Sequence, residues 1–503
     1  MANPPGCDEI RPRRGSTKGR VKPPKQPKAA KKELLLDTVG PFLMQQLDEH
    51  PKPDHPHLYS LPWFSQPNGQ LFPHHTPHHV RLSRSNSSDR SSSNSSHTLV
   101  DASSLSDTPS DRHSGRSSSP ALREPRTFSF LKRRRRPVTM DENPDTQRQI
   151  VESLAARYGS VSHMGMLDRS YRFFVNKDQT GALCYKVLNH VAIVSGDPLC
   201  EPDQFDAILD EFARYRKRHS WELAFMGASE VFAKYARKQR WNTMQFGVER
   251  VLNPRTNDVL LERSSKRVLV QNRQLLHPDK GGITLGVYVP AYSEDLAFQS
   301  ELMAIYDAWR EQRNQSATST SQAFITVYNP FDFPNLMTFL YTRGPDGTIN
   351  GFAALRRVGA NNGYHIDPCI AAPGAPKGIT DLLTYAAMAL LHRADVSHLS
   401  LGYEPLTELG EISGMSLTLE RITRSMYHHT YQRLPIRGKK AYHDKFRPDA
   451  SQESGLYVVF PAGAPGIRQM LAIAHMANIS IRKLMRTKIE SNPTKGSKKE
   501  ESR

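Results

Sequence analysis

Cysteine is scarce in this chain: Cys7, Cys184, Cys200 and Cys369 are all it has. None forms a C-x-x-C pair, and none has a nearby histidine at zinc-ligand spacing. A structural zinc and a disulfide framework are therefore not expected, and the thiols are expected to be reduced, in a cytosolic protein. No apolar run is long enough to cross a bilayer. The start, Met1-Ala2-Asn3-Pro4-Pro5, lacks the apolar core of a secretory signal. There is no G-x-x-x-x-G-K-S/T phosphate loop, so nucleotide hydrolysis is not indicated. No metal and no cofactor are expected. If a lipid is the substrate, it has to be reached from the membrane surface.

What the chain does have is positive charge. Its 503 residues carry 68 Lys+Arg against 50 Asp+Glu, a net charge of +18. The length allows two or three domains. The charge favours a polyanionic partner, either nucleic acid or an anionic membrane surface, and does not choose between them. A basic tail that only confers solubility would give the same count.

Residues 1–145 are expected to be a basic, Ser-rich and mostly disordered tail, because they offer too little apolar surface to offset the entropy of ordering. Within it, Leu34, Leu35, Leu36, Val39, Phe42, Leu43 and Leu47 can form one short amphipathic helix. The basic run 132–136 suits an anionic membrane, a nuclear import signal or a tRNA-contacting arm. From residue 146 strands alternate with helices. Strands are expected over 171–175, 183–194, 221–225 and 241–252. Helices are expected over 203–219 and 229–240, the latter N-capped by Ser229. This is read as a first α/β domain, 146–275. A second, 276–463, should hold strands at 283–289, 336–343, 350–358, 364–370, 398–401 and 456–460, with helices at 294–313 and 378–393. Two such units suggest a tandem duplication. Residues 464–503 read as a basic amphipathic helix and tail, either lying in a membrane interface or packed on the domain.

Four stretches carry the functional reading. They are Gly196-Asp197-Pro198-Leu199, the basic helix Lys266 to Arg273, the pair Gly378-Ile379-Thr380-Asp381 and Leu401-Gly402-Tyr403-Glu404-Pro405-Leu406, and Lys440 to Pro448. In this order and spacing they resemble the catalytic region of bacterial phosphatidylglycerol lysyltransferases, over about residues 150–460. The resemblance implies an α/β fold of tandem acyl-CoA N-acyltransferase-like domains. It also implies transfer of an amino acid from aminoacyl-tRNA to a lipid hydroxyl. The multi-span flippase usual in the bacterial enzymes is not found here. A Ser-rich tail on a free-standing catalytic region looks more like the fungal branch, the ergosteryl-glycine synthases. That branch implies glycyl-tRNA as donor, the ergosterol 3β-hydroxyl as acceptor, and a cytoplasmic protein peripherally attached to the membrane. Lysyl or other aminoacyl transfer to phosphatidylglycerol is the alternative.

The residues suit that chemistry. An aminoacyl-tRNA is already an activated ester, so the protein has only to hold the α-ammonium, stabilise an oxyanion and place the acceptor hydroxyl. Asp381 and Glu404 are expected to bind the ammonium or take a proton, and Tyr442 and Lys445 to face phosphate or oxyanion. Tyr403, Lys440 and Arg447 are expected to bind substrate. Lys266, Arg267 and Arg273 would meet the tRNA acceptor stem. Plainer readings exist. Asp381 in a first helical turn is favoured by the macrodipole alone, Glu404 can be an ordinary loop residue, and the lysines and arginines can be a solvated face. A non-catalytic tRNA- or membrane-binding adaptor is the second class considered. An acyl-CoA-dependent N-acyltransferase is disfavoured by the missing R-x-x-G-x-G/A pyrophosphate loop. His277-Pro278-Asp279 imitates a J-domain tripeptide but precedes a strand and is read as a loop.

Overall fold

The computed structural model describes residues 33–49, 144–316, 329–432, 437–461, 463 and 465–477. The basic run 132–136, the Ser-rich stretch and the cationic end of the C-terminal segment lie outside them.

The chain begins with α1 (Leu35–Glu49) and α2 (Pro144–Tyr158). A first half follows: β1 (Arg172–Val175), β2 (Ala182–Leu188), β3 (Val191–Ser195), α3 (Phe205–Arg218), β4 (Glu222–Ala228), α4 (Glu230–Lys238) and β5 (Asn242–Leu252). Helix α5 (Lys266–Leu276) leads to β6 (Thr284–Tyr288), α6 (Leu296–Ser316), β7 (Met337–Arg343), β8 (Ile349–Val358), β9 (Gly363–Ala371), α7 (Ile379–Arg393) and β10 (Leu399–Pro405). The rest is β11 (Ile412–Ser413), α8 (Leu417–Tyr431), α9 (Arg437–Asp444), β12 (Ser454–Phe460) and α10 (Ile467–Met476).

The α/β reading holds, and the strands join into one 12-stranded sheet in the order β1-β2-β3-β4-β12-β5-β10-β9-β8-β7-β6, with β11 on β5. Each half has one parallel pair, β3–β4 and β9–β10, each bridged by a helix. The halves interlock at the centre. The last strand, β12, lies between β4 and β5, while β5 pairs β10. The closing strand expected within the second domain is thus built into the first half.

Besides helices α2 and α9, which were also not anticipated, three elements differ from the sequence reading. The single strand over 183–194 is a hairpin, because Asn189 and His190 take φ of 50° and 61°, the backbone of a two-residue turn matched to strand twist. Helix α8 was not anticipated: it buries only Thr423 fully, so its apolar period does not mark an inward face. Third, the short helix expected within the N-terminal tail is α1, and it is part of the core. Leu36, Val39, Leu43 and Leu47 are buried against α7 and β6. Gln46 caps the exposed edge of β6, accepting from Val287 N at 3.0 Å and donating to Leu285 O at 3.3 Å. An unpaired edge strand needs such cover.

Elsewhere the local rules operate as expected. Ser229 caps α4, its hydroxyl accepting from Val231 N at 3.1 Å and Phe232 N at 3.4 Å. Gly196-Asp197-Pro198-Leu199 supports that same corner. Asp197 Oδ1 accepts from Ser229 N at 2.8 Å and Oδ2 from Ser229 Oγ at 2.5 Å. The motif's carboxylate is therefore engaged in holding two elements of the first half together.

Candidate active site

The site forms where β9 and β10 separate. Only Leu399 with Tyr364 and Ser400 with His365 are paired between them. Past Ser400, β10 bulges, its register against β5 shifting before Tyr403. Gly402 permits the bulge. Its φ is +88°, and a Cβ there would lie 3.1 Å from His365 Nε2 and 3.7 Å from Lys439 Nζ. An L side chain would suffer both the backbone strain and the crowding.

One wall is the start of α7. Gly378, at φ +99°, precedes it in a conformation glycine favours, and the Gln271 side chain fills the space a Cβ would occupy. Asp381 follows in the first turn, 7% exposed, where the helix dipole favours a carboxylate. Lys445 Nζ donates to both its oxygens, at 2.8 and 2.9 Å. The same ammonium stands 4.6 Å above the Tyr442 ring, a cation–π arrangement. Tyr442 OH meets Thr380 O and Thr384 Oγ1, each at 3.2 Å. Burial raises its pKa well above the tyrosine norm, so it stays a neutral donor. Behind it Cys369 Sγ lies 3.5 Å from Thr380 O, its thiol pushed up to about 12 by burial.

The opposite wall is the end of β10. Glu404 is 9% exposed. Its Oε1 accepts from Lys440 Nζ at 2.6 Å, which raises the lysine's pKa. Its Oε2 stands 3.3 Å from Arg250 Nε but accepts no hydrogen bond among the described residues. Arg250 is oriented by Asp444 at 2.8 Å and by Glu453. Lys440 and Lys445 are five positions apart (445 − 440), so α9 and its exit turn reach both carboxylates. That segment thus contacts Glu404 through Lys440 and Asp381 through Lys445, with Tyr442 between them in sequence.

The remaining expected residues fall elsewhere. Tyr403 alternates away from Glu404, as neighbours on a strand must. Its hydroxyl sits against Gly227 and Ser162, where burial raises its pKa. Arg447 is exposed, at φ 54°, with no side-chain partner among the described residues. Lys266 and Arg267 are exposed on α5 and line a shallow groove of about 410 Å³ with Val270, Gln271 and Gln274. Arg273 instead pairs with Glu262, which also accepts from Leu35 N at 2.8 Å. Its charge therefore fastens α1 to α5.

Sequence reasoning missed Lys439, Arg250, His365 and His443. Lys439 is exposed as a residue, and loss of hydration around its ammonium lowers its pKa, opposed by the charges of Asp367 and Glu404. Burial and the cations Lys439, Arg250 and Lys440 hold His443 neutral, its pKa down to about 3. Lys439 adjoins Lys440 and could have been flagged by that alone. Arg250 lies in the middle of β5 with no motif around it. The groups around the two carboxylates are mainly cationic. Among the described residues no three His, Cys, Asp or Glu side chains converge as a metal site would require.

Comparison with known proteins matches residues 152–458 to the family described as phosphatidylglycerol lysyltransferase, C-terminal. The chain belongs to that family. It is 26% identical over 227 residues to a bifunctional lysylphosphatidylglycerol biosynthesis protein of Rhodococcus jostii, covering 44% of this chain and 19% of the relative. Against the phosphatidylglycerol lysyltransferase of Bacillus subtilis it is 20% identical over 290 residues, 58% of this chain and 32% of that one. The chain thus spans about a fifth to a third of these relatives. The solved L-PGS structure from Bacillus licheniformis superposes at TM-score 0.50 with 17% identity, over 67% of this chain and 98% of that one. The two share the fold.

Proposed function

We propose that this protein transfers an aminoacyl group from a charged tRNA to the hydroxyl of a membrane lipid, at the site between Asp381 and Glu404. The observation that carries the reading is Glu404 Oε2, a buried carboxylate oxygen that faces Arg250 Nε at 3.3 Å without an aligned hydrogen bond. Such an atom is costly unless a ligand completes it. The substrate α-ammonium, or the acceptor hydroxyl, supplies the missing proton donor. Asp381 holds or orients the ammonium in exchange with Lys445, and Lys445 with the Tyr442 hydroxyl then faces the developing oxyanion.

The route for tRNA is the α5 groove. Gln271 donates to Lys377 O at 2.6 Å, tying the face that carries Lys266 and Arg267 to the start of α7. Phosphates held on that face leave the acceptor end directed at Asp381. The two halves, 146–275 and 276–463, act as tandem units, the second carrying the chemistry. No described helix is long and apolar enough to cross a membrane, and we place the protein on the cytoplasmic membrane surface.

For donor and acceptor, the resemblance to the fungal branch supports glycine and the ergosterol 3β-hydroxyl. The cations Lys439, Lys440, Lys445 and Arg250 around the cleft support a small, uncharged aminoacyl side chain over a lysyl one. The relatives' names favour lysine and phosphatidylglycerol. Mass spectrometry of lipids from cells with and without the gene decides. A gene-dependent glycyl sterol supports the first pair, a lysyl phosphatidylglycerol the second. No aminoacylated lipid in either case overturns the function.

A further inference from the structure

The two helices over one face of the sheet, α8 and α10, share a core cluster, to which Tyr427, Met470 and Ile473 contribute. Both leave large apolar side chains in water. On α8 these are Leu417 (73% exposed), Ile422 (51%) and Met426 (59%), and on α10 Ile467 (81%). Ile422 and Met426 are one helical turn apart. Exposed Arg421 lies beside Ile422, and exposed Arg468 beside Ile467. Glu420 is the only carboxylate on α8 and is neutralised by Arg424 at 2.9 Å.

The helix is fixed where the site needs it. Tyr427 OH donates to Leu406 O at 2.7 Å and Phe246 O at 3.0 Å. Arg424 donates to Leu409 O and, at 2.9 Å, to Gly410 O. Leu406 is two residues past Glu404 (406 − 404). Beyond α8 the chain continues into α9, which carries Lys440 and leads to Lys445. One face of α8 is therefore held rigidly on the exit of the Glu404 strand, while its outer face presents Ile422 and Met426 beside Arg421.

We propose that the outer face of α8, with Ile467 of α10, is a docking surface for an anionic bilayer. Ile422 and Met426 enter the acyl boundary, and Arg421 and Arg468 meet anionic headgroups. Separate apolar side chains interspersed with cations suit a fluid interface. A protein partner would favour a contiguous, charge-depleted patch. The inference deepens the proposed function, since it brings the lipid hydroxyl to the end of β10. It does not depend on catalysis.

The test uses the full chain carrying Cys7→Ser and Met426→Cys, labelled at position 426 with an environment-sensitive fluorophore. Vesicles of phosphatidylcholine with phosphatidylglycerol are compared with phosphatidylcholine alone. We expect a blue shift and brightening on the anionic vesicles, reversed by salt. Ile422→Asp with Ile467→Asp should weaken vesicle partitioning by roughly tenfold, with the thermal midpoint and tRNA affinity unchanged. Vesicles that pellet the protein without changing the probe would overturn the proposal, the basic tail then holding the membrane. So would a dimer in light scattering that the aspartates dissociate, since a second copy would then be the occupant. A shifted probe without lipid aminoacylation leaves docking standing and removes the catalytic reading.

Discussion

Lys445 donates to both oxygens of Asp381, at 2.8 and 2.9 Å, across 64 positions of sequence (445 − 381). In the proposed reaction this ammonium stands where the substrate's own ammonium would bind, and binding would be an exchange of cations at a fixed carboxylate. On release from Asp381, Lys445 becomes available to the phosphate or oxyanion of the incoming ester. The same segment, through Lys440, covers Glu404.

Asp381→Asn and Glu404→Gln should each lower kcat/KM by roughly tenfold to a thousandfold, the range for losing a charged contact or an acid–base group. Circular dichroism should show intact tertiary structure. Wild-type turnover by either variant would remove that residue from the site.

On α5 the three cations should now separate. Lys266→Ala with Arg267→Ala should weaken tRNA binding and flatten its salt dependence, each lost phosphate contact reducing the slope by about one. Arg273→Ala should leave that slope unchanged and lower the thermal midpoint, because it unfastens Glu262 and α1. Filter binding at several salt concentrations distinguishes the two.

The N-terminal region is not uniformly dispensable. A chain beginning near residue 145 loses α1 and uncovers the apolar surface of α7 and the edge of β6. Four buried aliphatic side chains go with it, at ~1.5–3 kcal/mol each before entropy is counted. Its thermal midpoint should fall by many degrees. A chain that keeps 33–49 and shortens only 50–141 should retain stability, and turnover on detergent-dispersed lipid. Calorimetry of the two chains checks this.

Much of this was legible in the sequence and some was not. Asp381 stood in a helix-opening motif and Glu404 at a strand end, and it was the family resemblance of those motifs that marked them as candidates. Glycine at 402 and 378 marked the backbone irregularities that aim them. Arg250 gave no signal, because it is recruited by a strand interlock in which β5 and β12 cross between the halves. Non-local pairing leaves no local pattern. The role of Arg273 was hidden for the same reason: its partner Glu262 precedes it nearby, but what they fasten, α1, lies over 200 positions earlier. The placement of Tyr403 was hidden because the strand extends through it, and alternation then sends it opposite to Glu404.

Acid should destabilise the fold through His163. Its Nδ1 accepts from Ser160 N at 3.0 Å, so the Nε2–H donates to Asp197 O at 2.9 Å. A second ring proton would face a donor, and burial lowers the pKa to about 4. The unfolded chain, at about 6.5, binds that proton first. Stability from this group is complete above pH ~6.5 and is lost as pH falls toward 4, by up to ~3 kcal/mol. Asp197, raised to about 6 by burial, acts in the opposite sense, favouring the fold as pH falls from about 6 toward the usual carboxylate range. His163→Gln should flatten the histidine limb in urea titrations between pH 6.5 and 4. An unchanged limb assigns it to other buried groups such as His443.

The central claim is tested most directly by single-turnover transfer. Purified protein is mixed with tRNA precharged with radiolabelled glycine or lysine, and with vesicles containing ergosterol or phosphatidylglycerol. The account predicts label moving into the organic phase with the wild-type chain, and a large loss of that transfer with Asp381→Asn. Label that stays on tRNA with every donor and acceptor pair, while the protein binds both tRNA and vesicles, would contradict it and leave a binding protein on the same fold.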